Sequence, residues 1–235
     1  MKPVFVLIEY NPWQMVIGSD SPSFALYNNG LVIFQKGKEE KIYYSTILNA
    51  TYKNDLVHRL IPDNISAYKN YYELSEWTDQ PTNLFYLKGY KIKAYGDLRN
   101  PMDDEEDPFF DETGKKDDLR DQFTDKLLDI FYISTSYDHA DAKKWLPDHI
   151  ELMCWPYSNA PDKSIIWPKD WPGLEDKNTA NRGKGSYSIY LPSHCYQELI
   201  VFLGTCKQKG AVKINNKKMA VSIRFPFPKE EMWMK

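Results

Sequence analysis

Short runs of apolar residues dominate the first hundred positions, and this pattern predicts strands. Residues 4–8 are five consecutive apolar residues, typical of a buried strand. Residues 24–27 and 31–34 flank Asn29-Gly30, a pair that tolerates positive φ at both central positions of a tight hairpin turn. Further strands are predicted over 41–47, 71–74, 84–87 and 90–95.

Apolar residues recur at helical spacing in three stretches. The first predicted helix covers about 49–60 and ends before Pro62. The second has Asp117 as its predicted N-cap, and the third is predicted to start at Ser193 and to close at Gly210. The predicted apolar faces are Tyr52, Leu56, Val57 and Leu60 in the first helix, Leu119, Phe123, Leu127, Ile130 and Phe131 in the second, and Leu199, Ile200, Leu203 and Cys206 in the third.

Proline and asparagine punctuate the last third of the chain. Three Trp-Pro pairs predict an irregular segment over about 155–180, held by burial of the indole rings. A strand over 186–191 follows, and 211–214 and 219–225 flank Asn215-Asn216 as a closing hairpin. The order of elements predicts an α+β fold of antiparallel sheets, with hairpins at both ends and about three packed amphipathic helices.

Charge is unevenly distributed, although the 235 residues carry a net charge of only −3. Residues 103–129 contain 12 acidic and 4 basic residues. We therefore predict a strand-rich α+β region over 1–100, an acidic loop or linker over 101–116, and a second α+β region over 117–235. One continuous domain remains the alternative.

The start of the chain and its cysteines predict a cytoplasmic protein. The apolar run 4–8 is shorter than the 7–15 residues of a signal peptide, and no apolar run is long enough to span a bilayer. Three cysteines without a CxxC pair do not indicate a disulfide framework.

Residues with catalytic or metal-binding potential are few. Asp138, His139 and Asp141, with His149 further along, are the densest candidate for an enzyme site or a cation site, but Asp138 or Asp141 would more often cap a helix. Cys195 is the one thiol near a predicted helix start, where its pKa could be lowered. No catalytic residue, metal or cofactor is assigned.

Basic residues are concentrated between positions 177 and 224, where nine bases accompany one acid. The segment 182–186 (RGKGS) hints at phosphate binding but lacks the spacing of a phosphate-binding loop. Lys213, Lys217 and Lys218 flank the closing hairpin and leave open a nucleic-acid adaptor. Ordinary solvated surface explains the same charges, and nucleic acid is not the expected partner.

Several stretches together resemble a loose group of uncharacterised bacterial proteins of the kind found beside toxin genes. They are residues 24–34 (FALYNNGLVIF), 78–82 (TDQPT), 146–150 (LPDHI), and the closing pair 210–212 and 224–226. The resemblance covers most of the chain and implies a small accessory protein of the immunity type. It implies no catalytic residues.

These observations favour a non-enzymatic protein-binding protein, most concretely a cytosolic immunity protein that neutralises a bacterial toxin domain by capping its surface. The acidic segment would meet a basic cleft, and the two phenylalanines within it would be buried as anchors. An enzyme with a carboxylate and histidine site is the alternative. The predicted partner-binding residues are Asp103, Asp104, Glu105, Glu106, Asp107, Phe109, Phe110, Asp111 and Glu112.

Overall fold

The computed structural model describes residues 1–37, 42–99 and 123–234. The chain folds into two compact units. Unit 1 comprises residues 1–12, 22–145 and 229–235, and unit 2 comprises residues 13–21 and 146–228. Among the described residues, no helix is long and apolar enough to cross a membrane.

Unit 1 is built on a mixed eight-stranded sheet with strand order β5-β7-β6-β1-β2-β3-β4-β8. Its neighbouring strands are antiparallel except for β5 and β7, which run parallel. The strands are β1 (Pro3–Tyr10), β2 (Phe24–Tyr27), β3 (Leu31–Gln35), β4 (Tyr43–Ile47), β5 (Tyr71–Glu73), β6 (Thr82–Leu87), β7 (Tyr90–Tyr95) and β8 (Lys143–Trp145), and the α-helices among the described residues of this unit are α1 (Ala50–Leu60) and α2 (Asp125–Thr135).

The core of unit 1 forms where apolar side chains of the central strands pack with those of α1 and α2. Phe5 and Leu7 of β1 belong to the same buried cluster as Leu60 of α1 and Phe131 of α2. The intervening β1 residues, such as Val6, are also buried, so this strand is covered on both faces. That explains its continuous apolar run in the sequence.

Unit 2 is built on a six-stranded sheet with strand order β10-β13-β14-β9-β12-β11. Strand β9 lies at its centre, between β14 and β12, and only β10 and β13 pair in parallel. One face of β9 is apolar, with Ile150, Leu152 and Cys154 all buried. The strands are β9 (His149–Pro156), β10 (Ile165–Ile166), β11 (Thr179–Gly183), β12 (Ser186–Pro192), β13 (Val212–Ile214) and β14 (Lys217–Arg224), and the helix is α3 (Tyr196–Gly204).

The α+β fold class is confirmed, and several local predictions agree with the structure. Helix α1 starts after Asn49, whose side chain accepts a hydrogen bond from the backbone N–H of Tyr52 at 3.0 Å. The closing hairpin turns at Asn215 and Asn216, which have φ of 44° and 64°. Trp167 is buried, and its indole N–H donates to the carbonyl of Pro172 at 3.0 Å.

Other local predictions are confirmed only in part. The first hairpin forms as predicted, but Gly30 is its one turn residue with positive φ, at 89°, because a three-residue turn needs the left-handed conformation only at its last position. Helix α2 starts after Thr124, whose hydroxyl accepts from the backbone N–H of Leu127, and the predicted N-cap Asp117 lies outside the described residues. Helix α3 ends at Gly204 instead of Gly210, and Ser193 makes no capping hydrogen bond.

Two sequence predictions fall outside the described residues and stay predictions. They are the acidic loop or linker over 101–116 and the place of Leu119 on the apolar face of the second helix. The irregular segment predicted over 155–180 does hold irregular chain, but β9 extends into its start and the short strand β10 lies within it.

Candidate functional site

The predicted partner-binding residues lie outside the residues that the structure describes, so their role stays a prediction. They are Asp103, Asp104, Glu105, Glu106, Asp107, Phe109, Phe110, Asp111 and Glu112.

The candidate carboxylate and histidine site is divided between the two units. Asp138, His139 and Asp141 lie in the turn after α2 in unit 1, whereas His149 starts β9 in unit 2. Asp138 pairs with Lys36 at 2.8 Å and also accepts the backbone N–H of His139 at 2.9 Å. The lysine, through its hydrogen bond, and that N–H keep the pKa of Asp138 below its usual range.

The histidine of this turn, like Asp138, makes a local structural contact. The Nδ1 atom of His139 accepts the backbone N–H of Asp141 at 3.2 Å, so the imidazole helps to hold the turn. Within residues 1–37, 42–99 and 123–234, no three His, Cys, Asp or Glu side chains are grouped so that they could hold a metal ion.

The residues at the start of α3 have a structural role. The hydroxyl of Ser193 donates to the carbonyl of Pro147 and so ties the end of β12 to the chain before β9. Cys195 stands at the position preceding the helix and is partly exposed. The segment 182–186 forms the turn between β11 and β12, as expected for a loop that precedes a strand.

A buried charge network lies on the other face of β9, the face that does not carry its apolar residues. The carboxylate of Glu151 and the guanidinium of Arg224 are 2.5 Å apart, and both side chains are less than 5% exposed (3% and 4%). The two residues face each other directly across β9 and β14. The hydroxyl of Ser188, on β12, donates to the second oxygen of Glu151 at 2.6 Å.

A second arginine, Arg182, contacts Glu151 on the solvent-exposed side of this network. Arg182 is half exposed and lies 3.1 Å from the same oxygen of Glu151 that Ser188 contacts. It also contacts the hydroxyl groups of Ser188 at 3.0 Å and Tyr190 at 2.7 Å.

The network determines the ionisation of Glu151. Burial by itself would raise the pKa of this carboxyl, but the charge of Arg224, the hydrogen bonds from Ser188 and Arg224, and the charge of Arg182 together lower it. The carboxylate is therefore ionised at neutral pH and saturated with donors. Such a group holds strands together and is a poor general base.

Residues 13–17 lie at the start of the unit 2 segment Trp13–Ser21, and we call them and their side chains the presented loop. Trp13, Met15 and Ile17 are 75%, 49% and 60% exposed. Between them, Gln14 is half-buried and Val16 is fully buried. The chain thus alternates, with large apolar side chains directed to solvent and the intervening side chains directed inward.

Polar contacts hold the loop in this conformation. Gln14 donates to Asp20 at 2.6 Å and accepts from the hydroxyl of Ser19. Ser19 is fully buried and also shares a hydrogen bond of 2.8 Å with Ser222 of β14.

A second anchor follows two residues later in the chain. The side chain of Ser21 accepts the backbone N–H of Phe225 at 2.8 Å, directly beyond the end of β14. The loop is therefore attached to the unit 2 sheet although more than two hundred residues separate the partners along the chain.

Sequence reasoning missed the presented loop. Its one available signal was the alternation of Trp13, Met15 and Ile17 with smaller or polar residues after Pro12. The same alternation is typical of a strand with one buried face, in which the apolar side chains would point inward. The exposed fractions of the three side chains, on a backbone anchored by Ser19 and Ser21, show that they point outward.

Comparisons with known proteins identify no relative. A scan against protein-family models, a search of curated proteins and a search of solved structures each find no match.

Proposed function

We propose that this chain is a non-enzymatic protein-binding protein, most concretely an immunity protein that neutralises a bacterial toxin domain by capping its surface. The observation that carries the proposal is the presented loop. It holds three large apolar side chains in solvent on a backbone that buried polar contacts keep in place.

The energetics of the loop suit an interface. Full burial of an exposed large apolar side chain contributes roughly 1.5–3 kcal/mol, and side chains that are 49–75% exposed gain a corresponding part of this when a partner covers them. Binding normally costs about 0.5–1.5 kcal/mol for each side chain that must be ordered. Because Ser19 and Ser21 already fix the backbone, the ordering cost of binding is confined to the side chains of the loop.

The charges around the loop indicate the chemistry of the partner. Residues 9–22 contain no lysine, arginine or histidine, and of their two acidic residues Glu9 is paired with Arg99 at 2.6 Å and Asp20 accepts from Gln14. An anionic membrane surface would favour a basic flank. A flank without basic residues favours a protein pocket with an apolar floor, and a basic rim on that pocket is what the acidic segment 103–112 would require.

The test compares the wild-type chain with the double variant Trp13→Ala/Ile17→Ala. Each immobilised chain is exposed to native cytosol at about 150 mM salt, and the captured protein is purified and titrated against both chains by calorimetry. We expect the double variant to bind at least about 30-fold more weakly, since one interface anchor is worth about 2 kcal/mol or more.

The matched control is Trp77→Ala/Tyr90→Ala, which removes two exposed aromatic side chains from unit 1 (56% and 53% exposed). It should bind like the wild type. If the control loses as much affinity as the loop variant, or if neither loses any, the presented loop is not the binding surface.

The acidic segment and the toxin assignment are tested separately. In one variant Asp103, Asp104 and Asp107 become Asn and Glu105 and Glu106 become Gln, and in another Phe109 and Phe110 become Ala. Unchanged affinity in both would remove this segment from the interface without affecting the loop. Co-expression should protect cells from the captured partner, and a partner that is harmless by itself would exclude the immunity role.

A further inference from the structure

Two hairpins that are distant in the sequence turn at the same end of the unit 2 sheet. Strands β12 and β14 both run antiparallel to β9, and both start beside its C-terminal end. Tyr187 pairs with Cys154, and Met219 pairs with Pro156. The β11–β12 turn and the β13–β14 turn are therefore neighbours, on either side of β9.

A contact between the hairpins confirms this placement. The ammonium group of Lys217, at the start of β14, lies 3.2 Å from the hydroxyl of Tyr187 on β12 and 5.4 Å from the centre of its ring. On the other hairpin, Lys184 stands at the turn between Gly183 and Gly185, and all three residues have positive φ.

Four exposed lysines are collected there, which we call the lysine end: Lys184, Lys213, Lys217 and Lys218. Lys213 and Lys218 are directly opposite each other on β13 and β14, so their side chains share one face of the sheet, whereas Lys217 lies on the other face, beside Tyr187. Like charges at such a position repel each other and destabilise the pair. A bound anion would remove this penalty.

No acidic residue lies in either hairpin, because residues 179–192 and 212–224 contain neither Asp nor Glu. The two arginines in these stretches, buried Arg224 and half-exposed Arg182, are paired with Glu151, so the lysines carry most of the uncompensated positive charge of the hairpins. Exposed Glu175 and Asp176 do follow Leu174, whose backbone N–H donates to Asn215 in the β13–β14 turn. The net charge of the whole chain, −3, conceals this local concentration.

Two aromatic residues border the same end of the sheet. Tyr187 is half-buried under Lys217, and Tyr157 is half-buried with its backbone N–H donating to the carbonyl of Lys218 at 2.9 Å. Because the ammonium group of Lys217 covers the ring of Tyr187, the feature that suits single-stranded nucleic acid is the positive charge, which can track the phosphates of the backbone.

We propose that the lysine end of unit 2 binds the phosphate backbone of single-stranded nucleic acid. This activity goes beyond the proposed protein binding and does not depend on it. Because the recognition is electrostatic and uses no base-specific contacts, it should show little sequence preference and a strong salt dependence.

The experiment measures fluorescence anisotropy of a labelled oligo-dT of about 20 nucleotides with the full chain, between about 50 and 200 mM salt. If all four lysines contact phosphates, the slope of log K against log salt should be about −2.8. In the variant Lys213→Gln/Lys218→Gln, the slope should fall to about −1.4 and the affinity at low salt should drop about tenfold or more.

The matched control is Lys143→Gln/Lys144→Gln, which removes two exposed lysines of unit 1 and should bind like the wild type. Three outcomes would overturn the proposal. The first is that the wild type does not bind the oligonucleotide at about 50 mM salt. The second is that the control variant loses as much affinity as Lys213→Gln/Lys218→Gln. The third is that polyglutamate binds as tightly as the oligonucleotide, because the ligand would then be an acidic protein.

Discussion

The two arginines that contact Glu151 offer a matched pair for testing how burial determines the value of an ion pair. Arg224 is 4% exposed and Arg182 is 50% exposed, yet both guanidinium groups contact the same carboxylate. We predict that Arg224→Met and Arg182→Met differ greatly in their effect on the stability of unit 2.

The magnitudes follow from the solvent around each pair. Removal of Arg224 leaves a buried carboxylate without its main countercharge, which costs about 3–5 kcal/mol. Removal of Arg182 breaks a solvent-screened pair worth about 0–1 kcal/mol. The double variant Glu151→Leu/Arg224→Met should regain most of the loss, because apolar side chains of similar volume replace a buried pair at little cost.

Hydrogen exchange measured by mass spectrometry on the full chain is the assay, since it reports on β9 separately from unit 1. A loss of about 3–5 kcal/mol corresponds to exchange roughly 150- to 5,000-fold faster in peptides from β9. Exchange in Arg182→Met should rise by no more than about fivefold. Equal acceleration in the two arginine variants, or no recovery in the double variant, would refute the reasoning.

Three further predictions concern single residues. Because the pKa of Glu151 is lowered in the folded state, its stabilising contribution is present above about pH 4.3 and is lost as the pH falls below that value. The difference in urea midpoint between wild type and Glu151→Gln should therefore shrink in acid, and a constant difference would contradict this. Burial raises the pKa of the Cys154 thiol to about 12, so a disulfide reagent should label partly exposed Cys195 first in a timed mass-spectrometric assay, and simultaneous labelling would argue against that burial. Gly30→Ala should destabilise by about 1–3 kcal/mol more than Gly37→Ala in urea unfolding. Both glycines have φ near +88°, but only at Gly30 would a Cβ strike a backbone carbonyl oxygen, so equal losses would show that the loop yields freely.

Local features could be predicted because they depend on neighbours in the chain. The start of helix α1 near residue 49 and the turn at Asn215-Asn216 each depend on side chains and backbone within a few residues of one another. Strand β9 was missed, although it is central to unit 2. Its Trp155-Pro156 end favours irregular chain, and pairing on both sides with β12 and β14 overrides that preference.

The candidate surfaces depended on contacts that cross long stretches of chain. Glu151 meets Arg224 across 73 residues, and Ser19 meets Ser222 across 203. From charge alone, a buried pair could not be distinguished from surface residues. The direction of Trp13 and Ile17 likewise follows from the anchors of the loop, because alternation specifies two opposite faces without saying which is buried.

By itself, the sequence determined the α+β class, helix α1, the paired strands of the hairpins and the separation of acidic from basic stretches. These follow from periodicity, turn chemistry and composition, which act over a few residues. The tertiary structure decided which unit residues 13–21 join, which charges are buried in pairs and which lysines meet at one sheet end. Sheet pairing brings distant residues together, and solvent exclusion is a property of the assembled sheet instead of any single segment.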